Sequence, residues 1–208
     1  NGNTRFTGAG NAKSARTAFA IPTGTKFYVE CLIKIANYYN WTFGVANSEF
    51  NLNAYDESDA TMNGILFRAN TASSWDICSI TNGSRGSFSS DVGQTATRVL
   101  GMTINRVDNE IKMYLDNVLK FTISISATET YHLVTSHAGG ASSANHSNIN
   151  CGHDSTGAGD FSAASNTDEN GFGEFQYSPP TGFLAICSPN IPTSTAIDPA
   201  ETDDDIPT

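Results

Sequence analysis

Beyond Lys120 the chain contains no lysine or arginine. Its 208 residues hold 11 basic and 21 acidic side chains, and 11 of the acids fall within residues 121–208. Binding to phosphates needs a basic surface, so this charge balance argues against nucleic acid as a partner and against an anionic membrane surface. No run approaches the roughly 20 apolar residues of a membrane-spanning helix, and no membrane insertion is expected. Cysteine is scarce: Cys31, Cys78, Cys151 and Cys187 show no Cys-x-x-Cys spacing. That argues against a zinc ribbon or a dithiol redox motif and favours buried thiols, with one or two disulfides as the alternative. No stretch carries a capped helical stripe. There is no Gly-x-Ser-x-Gly elbow for a serine nucleophile and no Gly-Lys-Thr loop for a phosphate.

What is present is Gly, Ser, Thr and Asn, with period-two alternation of apolar residues. Over residues 27–35, Phe27, Val29, Cys31, Ile33 and Ile35 form one face. Tyr28, Glu30, Leu32 and Lys34 form the other, expected to be mostly wet. Trp41, Phe43 and Val45 repeat the pattern, and residues 64–67, 75–80 and 99–104 supply further strands. Over residues 110–125, Ile111, Met113 and Leu115 and then Leu119, Phe121, Ile123 and Ile125 form two alternating runs. Asp116-Asn117 between them tolerates the left-handed backbone of a tight hairpin. Residues 182–187, apolar on both faces, read as a central final strand. The fold class is therefore all-β, a two-sheet antiparallel sandwich over residues 1–190. Residues 191–208, with Pro192, Pro199, Pro207 and five acids, read as a linker or tail. The chain starts at Asn1 rather than Met, which reads as a processed chain or part of a longer one.

The order of these strands resembles a SPRY (B30.2-like) domain. The likeness is carried by Phe27-Tyr-Val-Glu-Cys31, Trp41-Thr-Phe-Gly-Val-Ala46, Gly64-Ile-Leu-Phe67, Val99-Leu-Gly-Met-Thr-Ile104 and the hairpin Ile111-Lys-Met-Tyr-Leu-Asp-Asn-Val-Leu-Lys-Phe121. Tyr131-His-Leu-Val-Thr-Ser136 and Asn148-Ile-Asn-Cys-Gly152 resemble its closing strands. The family's hairpin ends in Asn-Gly, whereas here Asn117 precedes Val118. The resemblance covers roughly residues 20–188 and implies a concanavalin-like jelly roll. A narrower likeness, over Phe172-Gly-Glu-Phe-Gln-Tyr-Ser-Pro-Pro-Thr-Gly-Phe-Leu-Ala-Ile-Cys-Ser-Pro-Asn-Ile-Pro192, is to SPRY-like virion proteins of tailed phages, many from marine hosts. It implies a virion module of a tail fibre, tail-associated or capsid-surface protein. Its partners would be other virion proteins, copies of itself or a host-surface glycan. The alternative is a lectin-like, carbohydrate-binding domain of a secreted bacterial protein.

Catalysis is not expected on sequence grounds. Retaining glycosidases need two carboxyls about 5–5.5 Å apart, and the Glu-x-Asp-x-x-Glu pattern of sandwich glucanases is missing. Asp108 and Glu110 have strand spacing but sit at a turn, and Glu169 and Glu174 flank Gly-rich sequence. His132, His137, His146 and His153 cluster in sequence, without the close pairing of a transition-metal site. No cofactor or metal is expected; Asp56 and Asp59, with Asn53 and Glu57, offer hard oxygen donors that make calcium the alternative. Asp154 and Asp160 offer a weaker set. Asn40, Asn82 and Asn145 open formal glycosylation sequons. The candidate ligand contacts are Tyr38, Tyr39, Tyr55 and Trp75, aromatic residues at strand ends or in loops, which give large contact area at low entropy cost.

Overall fold

The computed structural model describes residues 4–5, 13–17, 20–34, 41–47, 61–71, 74–92, 98–137, 146–150, 165–172, 175–185 and 199–201. These residues form strands, turns and bends, with no helix among them. The strands are β1 (Thr4–Arg5), β2 (Lys13–Thr17), β3 (Lys26–Lys34), β4 (Trp41–Asn47), β5 (Gly64–Thr71), β6 (Ser74–Thr81) and β7 (Ser84–Val92). They continue with β8 (Arg98–Asn105), β9 (Glu110–Leu115), β10 (Val118–Ser124), β11 (Tyr131–His137), β12 (His146–Asn150), β13 (Leu184–Ala185) and β14 (Pro199–Glu201).

Two seven-stranded sheets result. Sheet A runs β1-β12-β3-β8-β9-β10, with β13 added to β3; sheet B runs β14-β2-β11-β4-β5-β6-β7. All pairings are antiparallel except β13 with β3, which is parallel. This is the expected two-sheet, concanavalin-like sandwich.

The alternation sets the core. Phe27, Val29 and Cys31 of β3, Leu100, Met102 and Ile104 of β8, and Ile111, Met113 and Leu115 of β9 face inward from sheet A. Phe43, Val45, Ile65, Phe67, Ile77, Tyr131 and Leu133 meet them from sheet B. Each fully buried side chain of this size contributes about 1.5–3 kcal/mol relative to exposure. At one end of the sandwich Arg106 is buried against the Tyr131 ring at 5.0 Å. Its guanidinium donates to the carbonyls of Ser126, Ala127 and Glu129, which fixes the turn between β10 and β11.

Asp116 and Asn117 carry φ of 48° and 64°, the pair of left-handed residues that a type I′ hairpin needs. Asn82 and Gly83, with φ of 47° and 70°, make a second such turn between β6 and β7. Asn82, one of the formal sequons, is thus a hairpin residue.

The structure corrects three expectations here. Leu119 does not share a face with Phe121: a bulge between them adds a residue to β10, and Leu119 turns out of the core with 48% of its surface exposed. The strand expected to close the chain at residues 182–187 extends over two described residues, Leu184–Ala185, joins β3 in parallel, and is followed by β14 in the other sheet. Tyr28 and Glu30, assigned to a wet face, are 4% and 0% exposed, because a distant part of the chain lies over them.

Candidate functional site

The outer face of sheet A, turned away from the core, carries the candidate site. Glu30 of β3 pairs with Gly101 of β8, Gly101 with Tyr114 of β9, and Tyr114 with Leu119 of β10. One row thus crosses four strands. Gly101 is the dip in this row. A Cβ there would lie 3.2 Å from Tyr28 Oη and 3.5 Å from Tyr114 Cβ, so the missing side chain is what lets the Tyr28 ring lean across β8. On the far side of the dip stand Tyr114, half-buried, and the exposed Leu119.

Residues 165–172 and 175–185 form a strap over the near side. The strap is tied to itself first. Asn166 and Phe175 exchange both backbone hydrogen bonds, and the Asn166 amide donates to the Phe175 and Gln176 carbonyls. Buried Asp168 accepts the backbone N–H of Asn170 and Phe172 on one oxygen and that of Ala185 on the other, each at 2.9 Å. Gly182, at φ 81°, follows Thr181 in a turn closed by the Phe183 N–H on the Pro180 carbonyl, the geometry of a type II turn.

Its hold on sheet A is local. The Phe175 ring meets Tyr28 edge-on at 5.1 Å, and Lys26 Nζ stands 5.9 Å from the Phe183 ring centroid. Tyr28, Phe175 and Ala185, with Phe172 and Phe183 against them, make a small apolar cluster separate from the main core. A carboxyl lies against it. The Glu30 carboxyl accepts Tyr28 Oη at 2.7 Å, the Gln176 N–H at 2.7 Å and the Tyr177 N–H at 3.0 Å. Burial pushes the Glu30 carboxyl above the ordinary carboxylate range, against the opposing pull of these three donors. Burial and the neighbouring Glu30 together raise the Tyr28 hydroxyl well beyond a normal phenol, so it is a fixed donor.

Tyr177 completes the arrangement. It is half-buried on the strap, and its hydroxyl is raised by burial, with Asp116 and Glu30 as its charged neighbours. Tyr28 and Glu30 from β3, Tyr114 from β9, Asp116 from the hairpin turn and Tyr177 from the strap therefore lie on the outer side of sheet A. Asp116 also accepts from Arg98 and from the Val99 N–H, which anchors the hairpin end.

The residues favoured from the sequence fall elsewhere. Tyr38, Tyr39, Tyr55, Asp56 and Asp59 lie outside the described residues. Trp75 is on β6, paired with Ala69 and Asp91, and its side chain lies outside them too. His132 and His137 are on β11 in sheet B, and His146 is on β12 in sheet A. His153, Asp154, Asp160, Cys151 and Cys187 are outside the described residues. Asp108 accepts from Asn105, and Glu110 pairs with Lys112 at 2.8 Å, so both serve their turn. Cys31 and Cys78 are buried thiols; burial raises Cys31 well above its usual value and Cys78 to about 11. Tyr28, Glu30, Tyr114 and Tyr177 were missed. The signal available for Tyr28 and Glu30 was a tyrosine and a glutamate side by side on the non-core face of one strand.

The chain is similar to concanavalin-like proteins. Among solved structures, a legume lectin-like domain from Entamoeba histolytica matches at 12% identity over 71% of this chain and 80% of that one, with a TM-score of 0.48. A Bacillus licheniformis β-glucanase matches at 12% identity over 66% and 74%, TM-score 0.44. A TRIM65 PSpry domain matches at 13% identity over 65% and 67%, TM-score 0.44. No protein-family model and no curated protein matches the chain. Nothing in these likenesses bears on a bacteriophage origin.

They do overturn the expectation that the chain is no enzyme, since glycoside hydrolases and a transglycosylase recur among the similar structures. The physical reason is that a sequence search for paired carboxyls sees neighbours along one strand. In a sandwich, acids from separate elements can meet, and no one-strand pattern shows this. The missing Glu-x-Asp-x-x-Glu pattern therefore excludes nothing.

Proposed function

We propose that this chain is a carbohydrate-binding β-sandwich whose site is the outer face of sheet A. The observation that carries the reading is the row Glu30–Gly101–Tyr114–Leu119, with Tyr28 leaning into its dip and Tyr177 brought beside it by the strap. A sugar ring has an apolar C–H face and a rim of hydroxyls. Tyrosine matches both, with an apolar ring and a polar tip. Tyr114 and Tyr177 are half-buried, which leaves ring surface to offer while packing limits the entropy lost on binding. Asp116, at the end of the same face, supplies an acceptor for sugar hydroxyls.

The virion reading has the likeness of residues 172–192 as its support. That stretch has a local role in this fold, since its residues 175–185 cover sheet A, and glycan binding is the reading preferred. Tyr38, Tyr39, Tyr55 and Trp75 stand as proposed further contacts, and calcium held by Asp56 and Asp59 as a proposed cofactor.

A glycan array probed with the purified chain, with and without EDTA, tests this. Retention of one glycan class by wild type, weakened about tenfold or more by Y114A and by Y177A, is the expected result. Reducing-end release assayed on the retained glycan separates binding alone from cleavage. No retention of any glycan at millimolar concentration, or retention indifferent to both substitutions, overturns the reading.

A further inference from the structure

We infer that Glu30 is a positioning residue, a latch on β3 that sets where the strap holds Tyr177 and so sets the width of the tyrosine-lined site. The inference rests on the carbohydrate-binding reading for its functional half and on geometry alone for its structural half.

Three observations carry it. First, the site has a fixed half and a carried half. Tyr28, Gly101 and Tyr114 belong to β3, β8 and β9, which are joined by continuous ladders. Tyr177 belongs to the strap, which among the described residues meets sheet A through the two-residue pairing of β13, Leu184 against the main core, Phe183 near Lys26, the small cluster around Phe175 and the Glu30 carboxyl. Such a unit opens at lower free energy than the sheets beneath it, because few apolar contacts and few ladder bonds must be broken.

Second, the latch acts at the residue that matters. Glu30 grips the backbone N–H of Tyr177 itself and of its neighbour Gln176, at 3.0 and 2.7 Å. Asp168, a carboxyl of the strap itself, grips Asn170, Phe172 and Ala185, all within the strap. Asp168 gives the strap its shape, and Glu30 fixes it to the sheet.

Third, a buried carboxyl is a costly way to cover a sheet. An apolar residue at position 30 would pack the cluster without desolvating an ionisable group. A glutamate there gives directional bonds instead, and these define one place for the Tyr177 backbone rather than a general adhesion.

Amide hydrogen exchange on the full chain, without sugar, tests the latch directly. In E30A the Gln176 and Tyr177 amides are expected to exchange about tenfold faster or more, while those of Met102 and Met113 in the ladders keep wild-type protection. E30Q, which can accept at one oxygen only, is expected to fall between the two. Y28F removes one donor and leaves both strap bonds; it serves as the mild variant should E30A fail to fold, with Gln176 and Tyr177 protection near wild type. Glycan affinity should fall in the order wild type, E30Q, E30A. Unchanged Gln176 and Tyr177 exchange in both E30Q and E30A overturns the latch. So does exchange of the strap and ladder amides as one unit, or a freed strap with undiminished affinity. If wild type binds no glycan, the carbohydrate reading fails, and the exchange result still decides the latch.

Discussion

The two sheets bury their outer faces in opposite ways. On sheet B, Ala46, Leu66, Cys78, Ile80 and Val134, with Met62 beside them, form a closed apolar cluster. An ion pair, Arg68–Asp76 at 3.3 Å, crosses from β5 to β6 on that face with both side chains under 10% exposed. On sheet A the covered cluster is smaller and is organised around a carboxyl, Tyr28 and the backbone of the strap, with Tyr114 and Tyr177 half-buried beside it. An apolar face packs and holds. A face built from a glycine dip, tyrosine hydroxyls and directional hydrogen bonds also specifies where groups lie, which is what recognition requires. On the proposed reading, one outer face serves stability and the other ligand contact.

The largest effect expected from breaking this division is on sheet B. R68M strands Asp76 in a buried place and should cost about 3–5 kcal/mol, seen in denaturant unfolding, with glycan affinity per folded molecule unchanged. An equal loss of affinity would show that sheet B also contacts ligand. Next comes D168A on the strap, which leaves three backbone N–H groups without their acceptor. A cost of about 1–3 kcal/mol is expected, with strap amides deprotected before those of β8 and β9. G101A is milder. Its methyl would sit 3.2 Å from Tyr28 Oη, so a loss of about 1 kcal/mol and a weakened Tyr28–Glu30 bond are expected. Unchanged stability with unchanged glycan binding would mean that the dip is incidental.

The smallest effect is that of pH. The Glu30 carboxyl keeps its proton to higher pH in the folded chain than in the unfolded one, because burial outweighs its three donors. Tyr28 and Tyr177, whose hydroxyls are both raised, are neutral in this range. The contribution of Glu30 to stability is therefore full below the ordinary carboxylate value and is lost as pH rises through the raised one. The stability of wild type minus that of E30Q should fall across this window. A difference that grows with pH would show that the three hydrogen bonds win and that Glu30 is held as a carboxylate.

The sandwich was legible where local chemistry alone decides. The alternation over β3 and β9 and the left-handed pair Asp116-Asn117 place strands and a hairpin without outside help. β7 was not legible, because Ser-Arg-Gly-Ser-Phe-Ser-Ser-Asp-Val has no apolar period and is held by pairing with β6. The Asn82-Gly83 turn before it was a readable signal that went unused. Leu119 was misplaced because a bulge shifts register invisibly. The site was largely illegible for one reason: Glu30 and Tyr177 are 147 positions apart, and nothing local to either marks the contact.

The central claim, that the outer face of sheet A is the glycan contact, is tested most directly by titrating one array-positive glycan against wild type, Y114A and Y177A. The account predicts affinity about tenfold weaker or more in both variants, with folding midpoints close to wild type. Wild-type affinity in both variants would contradict it.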